Sequence, residues 1–176
     1  MTDLSDAELI ARLRRSDGIA IGILYARFAT PLLGLAHRLL GSRDEAEDVV
    51  QDVFVGLPLA LRRYNEQGAF AAWLKLVTVR TALMHRRSSA RRRQTPLDAP
   101  DARGRATAPE PLIDRMVLEA AIAALPEALR DVFVLYHIER FSHAEIAQML
   151  GIRRGTAEVR LHRAVRRLRA HLENDR

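Results

Sequence analysis

The sequence predicts an all-α protein of two small helical domains joined by a flexible, proline-rich linker, on three observations. Apolar residues recur at three- and four-residue spacings along almost the whole chain, and the alternating runs that mark strands are missing. Residues 94–112, QTPLDAPDARGRATAPEPL, interrupt that period with four of the seven prolines and little apolar content. On both sides of this stretch, serine and glycine stand where helices of the right period should begin and end. A chain of 176 residues accommodates two such domains, 1–93 and 113–176, and 48% hydrophobic with 28% charged residues is a globular composition.

The elements follow in order. Ser5 with Glu8 three residues later reads as a capping box that opens a short helix. A longer amphipathic stretch runs from about Ile19 to Leu40 and stops at Gly41, a residue that tolerates the left-handed position closing a helix. Pro31 is expected either to break that stretch or to start a helix inside it. Ser42 caps the helix of SRDEAEDVVQDVF, and Gly56 and Pro58 are expected to bend or end it near Leu57, because an interior proline costs about 3 kcal/mol. The first domain finishes with a helix from about Ala69 towards Arg93. In the second domain Pro126 suits a first helical turn, Ser142 with Glu145 forms another capping box, and Gly151 ends a short helix before a longer one.

Charge and composition bound the chemistry. The formal net charge is +6 and the pI about 10.8, almost wholly from arginine, since Lys75 is the only lysine. Such a balance points to a polyanionic partner such as nucleic acid. The absence of cysteine excludes disulfides, thiolate catalysis and cysteine-ligated zinc, and a reduced cytoplasmic setting is the simple reading. MTDLSDAELI is acidic and polar where a secretion signal is basic then apolar, and no window approaches 18 uninterrupted apolar residues, so no membrane insertion is expected. The six histidines show no ligand spacing, and neither a phosphate-binding glycine loop nor a Ser/His/Asp motif is present; no catalytic residue, metal or cofactor is expected.

Two helical faces carry chemistry. In the last helix Ala157, Leu161, Ala164 and Leu168 share one side at spacings of 4, 3 and 4, while Gly155, Val159, His162, Arg163, Arg166 and Arg169 fall opposite. A helix packed by one side and studded with arginine on the other suits the major groove, where arginine bonds phosphates and pairs bidentately with guanine. The same pattern also describes an amphipathic helix whose arginines are solvated. In SRDEAEDVVQDVF, Asp44, Glu47, Asp48, Gln51 and Asp52 lie on one side, opposite Ala46, Val49, Val50, Val53, Phe54, Leu57 and Leu61. The helix dipole favours Asp44, Glu45 and Glu47 near the N-terminus, but Asp48 and Asp52 lie too far along. The Asp44–Asp48–Asp52 ladder costs an isolated helix a few tenths of a kcal/mol per pair. That face is either a solvated acidic surface or a dock for a basic protein element.

Beyond these patterns, LPEALRDVFVL with FSHAEIAQMLGIRRGTAEVRLHRAVRRLR closely resembles region four of bacterial sigma factors of the extracytoplasmic-function (ECF) group. LYARFATPLLGLAHRLLGSRDEAEDVVQDVF resembles region two of the same family through Tyr25, Ala46, Glu47, Asp48, Gln51, Asp52 and Phe54, and GAFAAWLKLVTVRTALMHRRSSARRR resembles its −10-contacting helix. The resemblance implies an alternative sigma factor that binds core RNA polymerase, recognises −35 and −10 promoter elements and aids melting, with catalysis left to the polymerase. It implies docking on the β′ clamp helices through Asp44, Glu47, Asp48, Gln51 and Asp52, with β as a further contact, and an anti-sigma factor as a partner. The residues implied at −10 DNA are Tyr64, Asn65, Trp73, Lys75, Arg80, Arg86 and Arg87, with Arg91, Arg92 and Arg93 continuing a basic tail. For Phe70 and Trp73, plain core packing competes with a DNA role.

At −35 DNA the implied set is Arg154, Thr156, Glu158, Val159, His162, Arg163 and Arg166. This chain departs from the family pattern at several of these places. Ala157 stands where valine is usual, Glu158 and Val159 where lysine and serine are frequent, and Arg80 and Met84 where asparagine and aspartate are frequent. Glu158 either weakens binding or specifies a different sequence, since a carboxylate repels phosphate but accepts from cytosine. Nineteen extended linker residues span at most about 60–68 Å, roughly 18–20 base pairs, enough to reach separated promoter elements. Two other functions fit parts of the pattern: a self-sufficient helix-turn-helix regulator, which leaves the acidic helix without a role, and a sigma mimic that sequesters an anti-sigma factor.

Overall fold

The structure, a computed structural model, describes residues 4–65, 69–93 and 110–174, with side chains over 4–65, 69–90 and 116–173. The chain divides into two compact units, 1–96 and 97–176. Among the described residues every regular element is helical.

The first unit contains α1 (Asp6–Arg14), α2 (Gly18–Leu40), α3 (Arg43–Ala60), a single 3₁₀ turn (Leu61–Arg63) and α4 (Phe70–Arg93). Side-chain caps open the first three helices. The Ser5 hydroxyl accepts from the Glu8 N–H at 3.3 Å while the Ser5 N–H donates to the Glu8 carboxylate at 2.8 Å, the reciprocal box that satisfies two orphan donors. Asp17 caps α2 through the Ile19 N–H, and Ser42 caps α3 through the Glu45 N–H. Gly41 closes α2 in the left-handed region at φ 77°, its N–H donating to the His37 carbonyl at 2.8 Å.

Neither internal proline behaves as its residue type alone suggests. α2 runs through Pro31 without a break, and both Pro31 and Arg27, whose carbonyl loses its donor, are exposed. The expected end of α3 near Leu57 is also corrected. The helix continues past Pro58 to Ala60, because Pro58 is exposed in the last turn and the ladder resumes with the Leu61 N–H on the Leu57 carbonyl.

α2 packs against α1, α3 and α4 and is the centre of this unit. It is 23 residues long with a mean hydropathy of 1.7 over its most apolar window, enough by length and composition to cross a membrane, which the expectation from unbroken apolar runs overlooked. In this fold its Leu24, Leu32, Leu35 and Leu39 are buried by its neighbours. Leu24 and Leu32 join a core of Leu9, Ile10 and Leu13 from α1, Val50, Val53, Phe54 and Leu57 from α3, and Phe70 and Leu74 from α4. Burying a leucine side chain stabilises by about 1.5–3 kcal/mol. Arg14 ties α1 to the chain after α3, its guanidinium donating to the Tyr64 carbonyl at 3.0 Å.

The second unit contains α5 (Glu110–Ala123), α6 (Glu127–Phe133), a π turn (Val134–Ile138), α7 (His143–Leu150) and α8 (Arg154–Asn174). The expected linker loses its last three residues, 110–112, to α5, where Pro111 suits a first turn; its other residues, 94–109, lie outside the described ones. Pro126 is the cap of α6 rather than its first residue, a shift of one position. α6 continues into the π turn, closed by the Glu139 N–H on the Val134 carbonyl at 3.0 Å. Ser142 and Glu145 form the second capping box, and Gly151 ends α7 at φ 66°. Residues 151–153 therefore turn the chain sharply from α7 into α8, as a helix-turn-helix requires.

Candidate protein-docking and nucleic-acid faces

α3 separates its residues as the helical period dictates. Ala46, Val49, Val50, Val53, Phe54 and Leu57 are all buried, at 4% exposure or less, while Asp44, Glu47, Asp48, Gln51 and Asp52 are exposed. The carboxylates are not equivalent. Glu47 accepts from the Arg43 Nε–H at 2.9 Å and so is already engaged, whereas Asp48 and Asp52 have no ion pair among the described residues. The acidic ridge is flanked by two grooves. One, of about 470 Å³, lies between Asp48, Gln51 and Asp52 on α3 and Thr81, Met84, His85 and Ser88 on α4. The other, of about 580 Å³, lies between Glu47, Val50 and Gln51 and the α2 residues Tyr25, Ala29, Thr30 and Leu33. Gln51 lines both.

Thr81, His85 and Ser88 were not among the expected site residues. Their spacing, 81, 85 and 88, is that of one helical face, so the period contained the signal. What periodicity could not show is that this face of α4 looks across at α3.

The residues expected at melted DNA are divided by the fold. Tyr64 is only 7% exposed, its ring 4.8 Å from Trp73 and 5.8 Å from Phe70, and Phe70 in turn meets Phe28 at 5.5 Å. Core packing thus describes Phe70 and Tyr64, while Trp73 is half-buried at the edge of the cluster. Asn65, Arg80 and Arg87 are exposed. At roughly 100° per residue Trp73, Arg80 and Arg87 share one side of α4, with Lys75 and Arg86 on the other. Lys75 and Arg86 are half-buried, and the Arg86 guanidinium donates to the Leu39 carbonyl at 3.3 Å, tying α4 to the end of α2. The side chains of Arg91, Arg92 and Arg93 lie outside the described residues.

In α8 the seam and the outer face fall as the spacing predicts. Ala157, Leu161, Ala164 and Leu168 are buried, and Gly155, Val159, His162, Arg163, Arg166 and Arg169 are exposed. Thr156 is half-buried. Arg154, Glu158, His162 and Arg166 follow one another at four-residue intervals along the exposed side, and the Arg154 Nε–H donates to Glu158 Oε1 at 2.9 Å. A helix packed along one side by alanine and leucine projects its long cations outward from the other, the arrangement a phosphate-lined groove accepts. Among the described residues no group of three or more His, Cys, Asp or Glu could hold a metal ion.

Comparisons with known proteins find relatives for both units. The family described as Sigma-70 region 2 matches residues 24–92, spanning α2 to α4, and Sigma-70, region 4 matches residues 115–168. The RNA polymerase sigma-H factor of Pseudomonas aeruginosa is 30% identical over 177 residues, covering 93% of this chain and 92% of its own. The ECF RNA polymerase sigma factor SigE of Mycolicibacterium smegmatis is 32% identical over 157 residues, 85% of this chain but 60% of that longer relative. Among solved structures, CnrH in complex with the cytosolic domain of CnrY is 27% identical with a TM-score of 0.60, covering 96% of this chain and 97% of its own. The sigma factor RpoE in complex with the anti-sigma factor NepR from Bartonella quintana shares the fold at a TM-score of 0.68 and 23% identity, over 88% of this chain and 98% of its own. Two family matches in the order of the two units, and a relative aligned over more than nine-tenths of both chains, place this chain in the sigma-70 family, and its similarity to factors named as ECF sigma factors places it in the extracytoplasmic-function group.

Proposed function

We propose that this chain is a working initiation factor: it binds core RNA polymerase, brings it to promoters carrying −35 and −10 elements, and helps to open the −10 region. The observation that carries the reading is the separation of charge onto two helices, a carboxylate face on α3 and an arginine face on α8, both exposed. A basic protein element, the β′ clamp helices, is the proposed occupant of the acidic ridge, with Asp48 and Asp52 as its main contacts. β is a further contact. The grooves on either side of the ridge offer room for side chains from that partner.

At −35 DNA the proposed contacts are Arg154, Thr156, Glu158, Val159, His162, Arg163 and Arg166. Val159, 51% exposed, suits contact with a thymine methyl group. On α4, Trp73, Arg80 and Arg87 with the nearby Asn65 are the proposed surface for the −10 strand. Tyr64, Lys75 and Arg86 support that surface from behind, Tyr64 through its ring packing and Arg86 through its bond to α2. The polymerase supplies the chemistry and the cytoplasm is the proposed place of action. An anti-sigma factor is the proposed partner of this chain at rest; CnrH, to which the chain is similar, is itself solved with a protein partner, the cytosolic domain of CnrY.

Run-off transcription with core polymerase tests the proposal. Wild type is expected to start transcripts at discrete sites on a genomic template pool; no promoter-specific initiation on any template contradicts it and favours a mimic that only sequesters a partner.

A further inference from the structure

Glu158 is the only acid between Arg154 and Leu172, on a helix whose outer face draws its other charge from arginine. A lone carboxylate there is repelled by phosphate unless it has a donor to accept from. Helix stability does not explain its place, because exposed ion pairs four residues apart contribute little. The side chains of Arg154 and Glu158 are 71% and 47% exposed, and the bond between them runs from Nε to Oε1 at 2.9 Å. That choice of atoms has a consequence. With Nε–H committed to Glu158, the guanidinium presents its two Nη groups end-on, a fork matched to the O6 and N7 acceptors of guanine. Glu158 keeps Oε2, an acceptor matched to the N4 amino group of cytosine.

We propose that Arg154 and Glu158 read the −35 element as one unit, Arg154 taking a guanine through Nη1 and Nη2 while Glu158 holds Nε and accepts from a neighbouring cytosine through Oε2. The inference rests on the reading of α8 as the −35 helix. It turns the departure at Glu158 into a specificity device: the acid lowers general attraction to phosphate and returns selectivity for a guanine and a cytosine close together. An adenine in place of the cytosine sets its N7 acceptor beside the amino donor, and a thymine presents only the O4 acceptor and a methyl group, so Oε2 is repelled at either.

The full-length chain with core polymerase, transcribing a promoter library randomised over the −35 element, tests the pairing through base-preference ratios. Each ratio is internal to one variant and so does not depend on how much of it is folded. Wild type is expected to prefer guanine at one position and cytosine at a neighbouring one. Glu158→Gln is expected to reduce the cytosine preference by about five-fold or more and to shift it towards adenine, which an amide pairs with. Arg154→Ala is expected to lose the guanine preference, and the two substitutions are expected to be non-additive, since each removes the other's partner. An unchanged cytosine preference in Glu158→Gln, or independent effects of the two substitutions, overturns the unit while leaving promoter reading intact. A wild type with no −35 preference at all removes the reading of α8 and the unit with it.

Discussion

Reversing Asp48 and Asp52 together to arginine separates docking from folding. Both side chains are exposed and, among the described residues, without an ion pair, so the native fold loses nothing when they change. Within the helix the double reversal turns the 44/48 repulsion into an attraction and keeps one like-charge pair at 48/52, so stability should stay within about 0.5 kcal/mol of wild type. Against a basic partner the effect is larger. An exposed ion pair contributes about 0.5 kcal/mol, and reversal replaces each attraction with a comparable repulsion, giving about 2 kcal/mol for the two positions, or roughly 30-fold in affinity. Glu47 adds little to either state because Arg43 already engages it at 2.9 Å. The assay is competition for core polymerase against labelled wild type, repeated at rising salt. The wild type should weaken with salt while the double reversal, having lost the attraction that salt screens, should not. Core affinity within two-fold of wild type, with thermal unfolding unchanged, would refute the docking role of this face.

Other outcomes follow from local geometry. Ser142→Ala should destabilise the second unit by about 1 kcal/mol, measured by denaturant unfolding, since it removes the cap of α7. The hydrogen bonds from the Ser142 side chain and backbone N–H hold the Glu145 carboxyl below its ordinary value. Its contribution is therefore complete above the unfolded value and is lost as pH falls through the lower folded one, so wild type should show an acid-dependent loss there that Ser142→Ala lacks in part. Gly151→Ala should cost about 1–2 kcal/mol, seen as a lowered midpoint, because φ is 66° there; open space around the position rules out a clash as the cause. Arg166→Ala should weaken promoter binding about equally across sequences and reduce the salt slope of log K by about one, read from fluorescence titrations.

Local signals were the legible ones. The caps at Ser5, Ser42 and Ser142 and the left-handed closures at Gly41 and Gly151 depend on neighbouring backbone, and the sides of α3 and α8 depend only on the helical period. Pro31 and Pro58 misled because the cost of a proline depends on its surroundings: both are exposed, and the helix continues beyond each. The π turn at Val134–Ile138 has no periodic signature; one extra residue in a turn does not alter which residue types appear. Tyr64, implied at −10 DNA by the resemblance, packs as a core ring, which the sequence did not foretell because the Phe70, Trp73 and Tyr64 cluster is a tertiary arrangement. The same holds for the groove between α3 and α4: both faces were written in the chain, but their apposition was not.

The central claim is that the two charged helices do different work, and one paired measurement tests it. Asp48→Arg with Asp52→Arg and, separately, Arg163→Ala with Arg166→Ala are each assayed for core-polymerase affinity and for −35 protection in the assembled holoenzyme at saturating protein. The account predicts that the α3 variant loses core affinity and protects −35 DNA once driven onto the polymerase, while the α8 variant keeps core affinity within about two-fold and loses −35 protection. An α8 variant that loses core affinity as severely as the α3 variant, or an α3 variant that binds core normally, contradicts it.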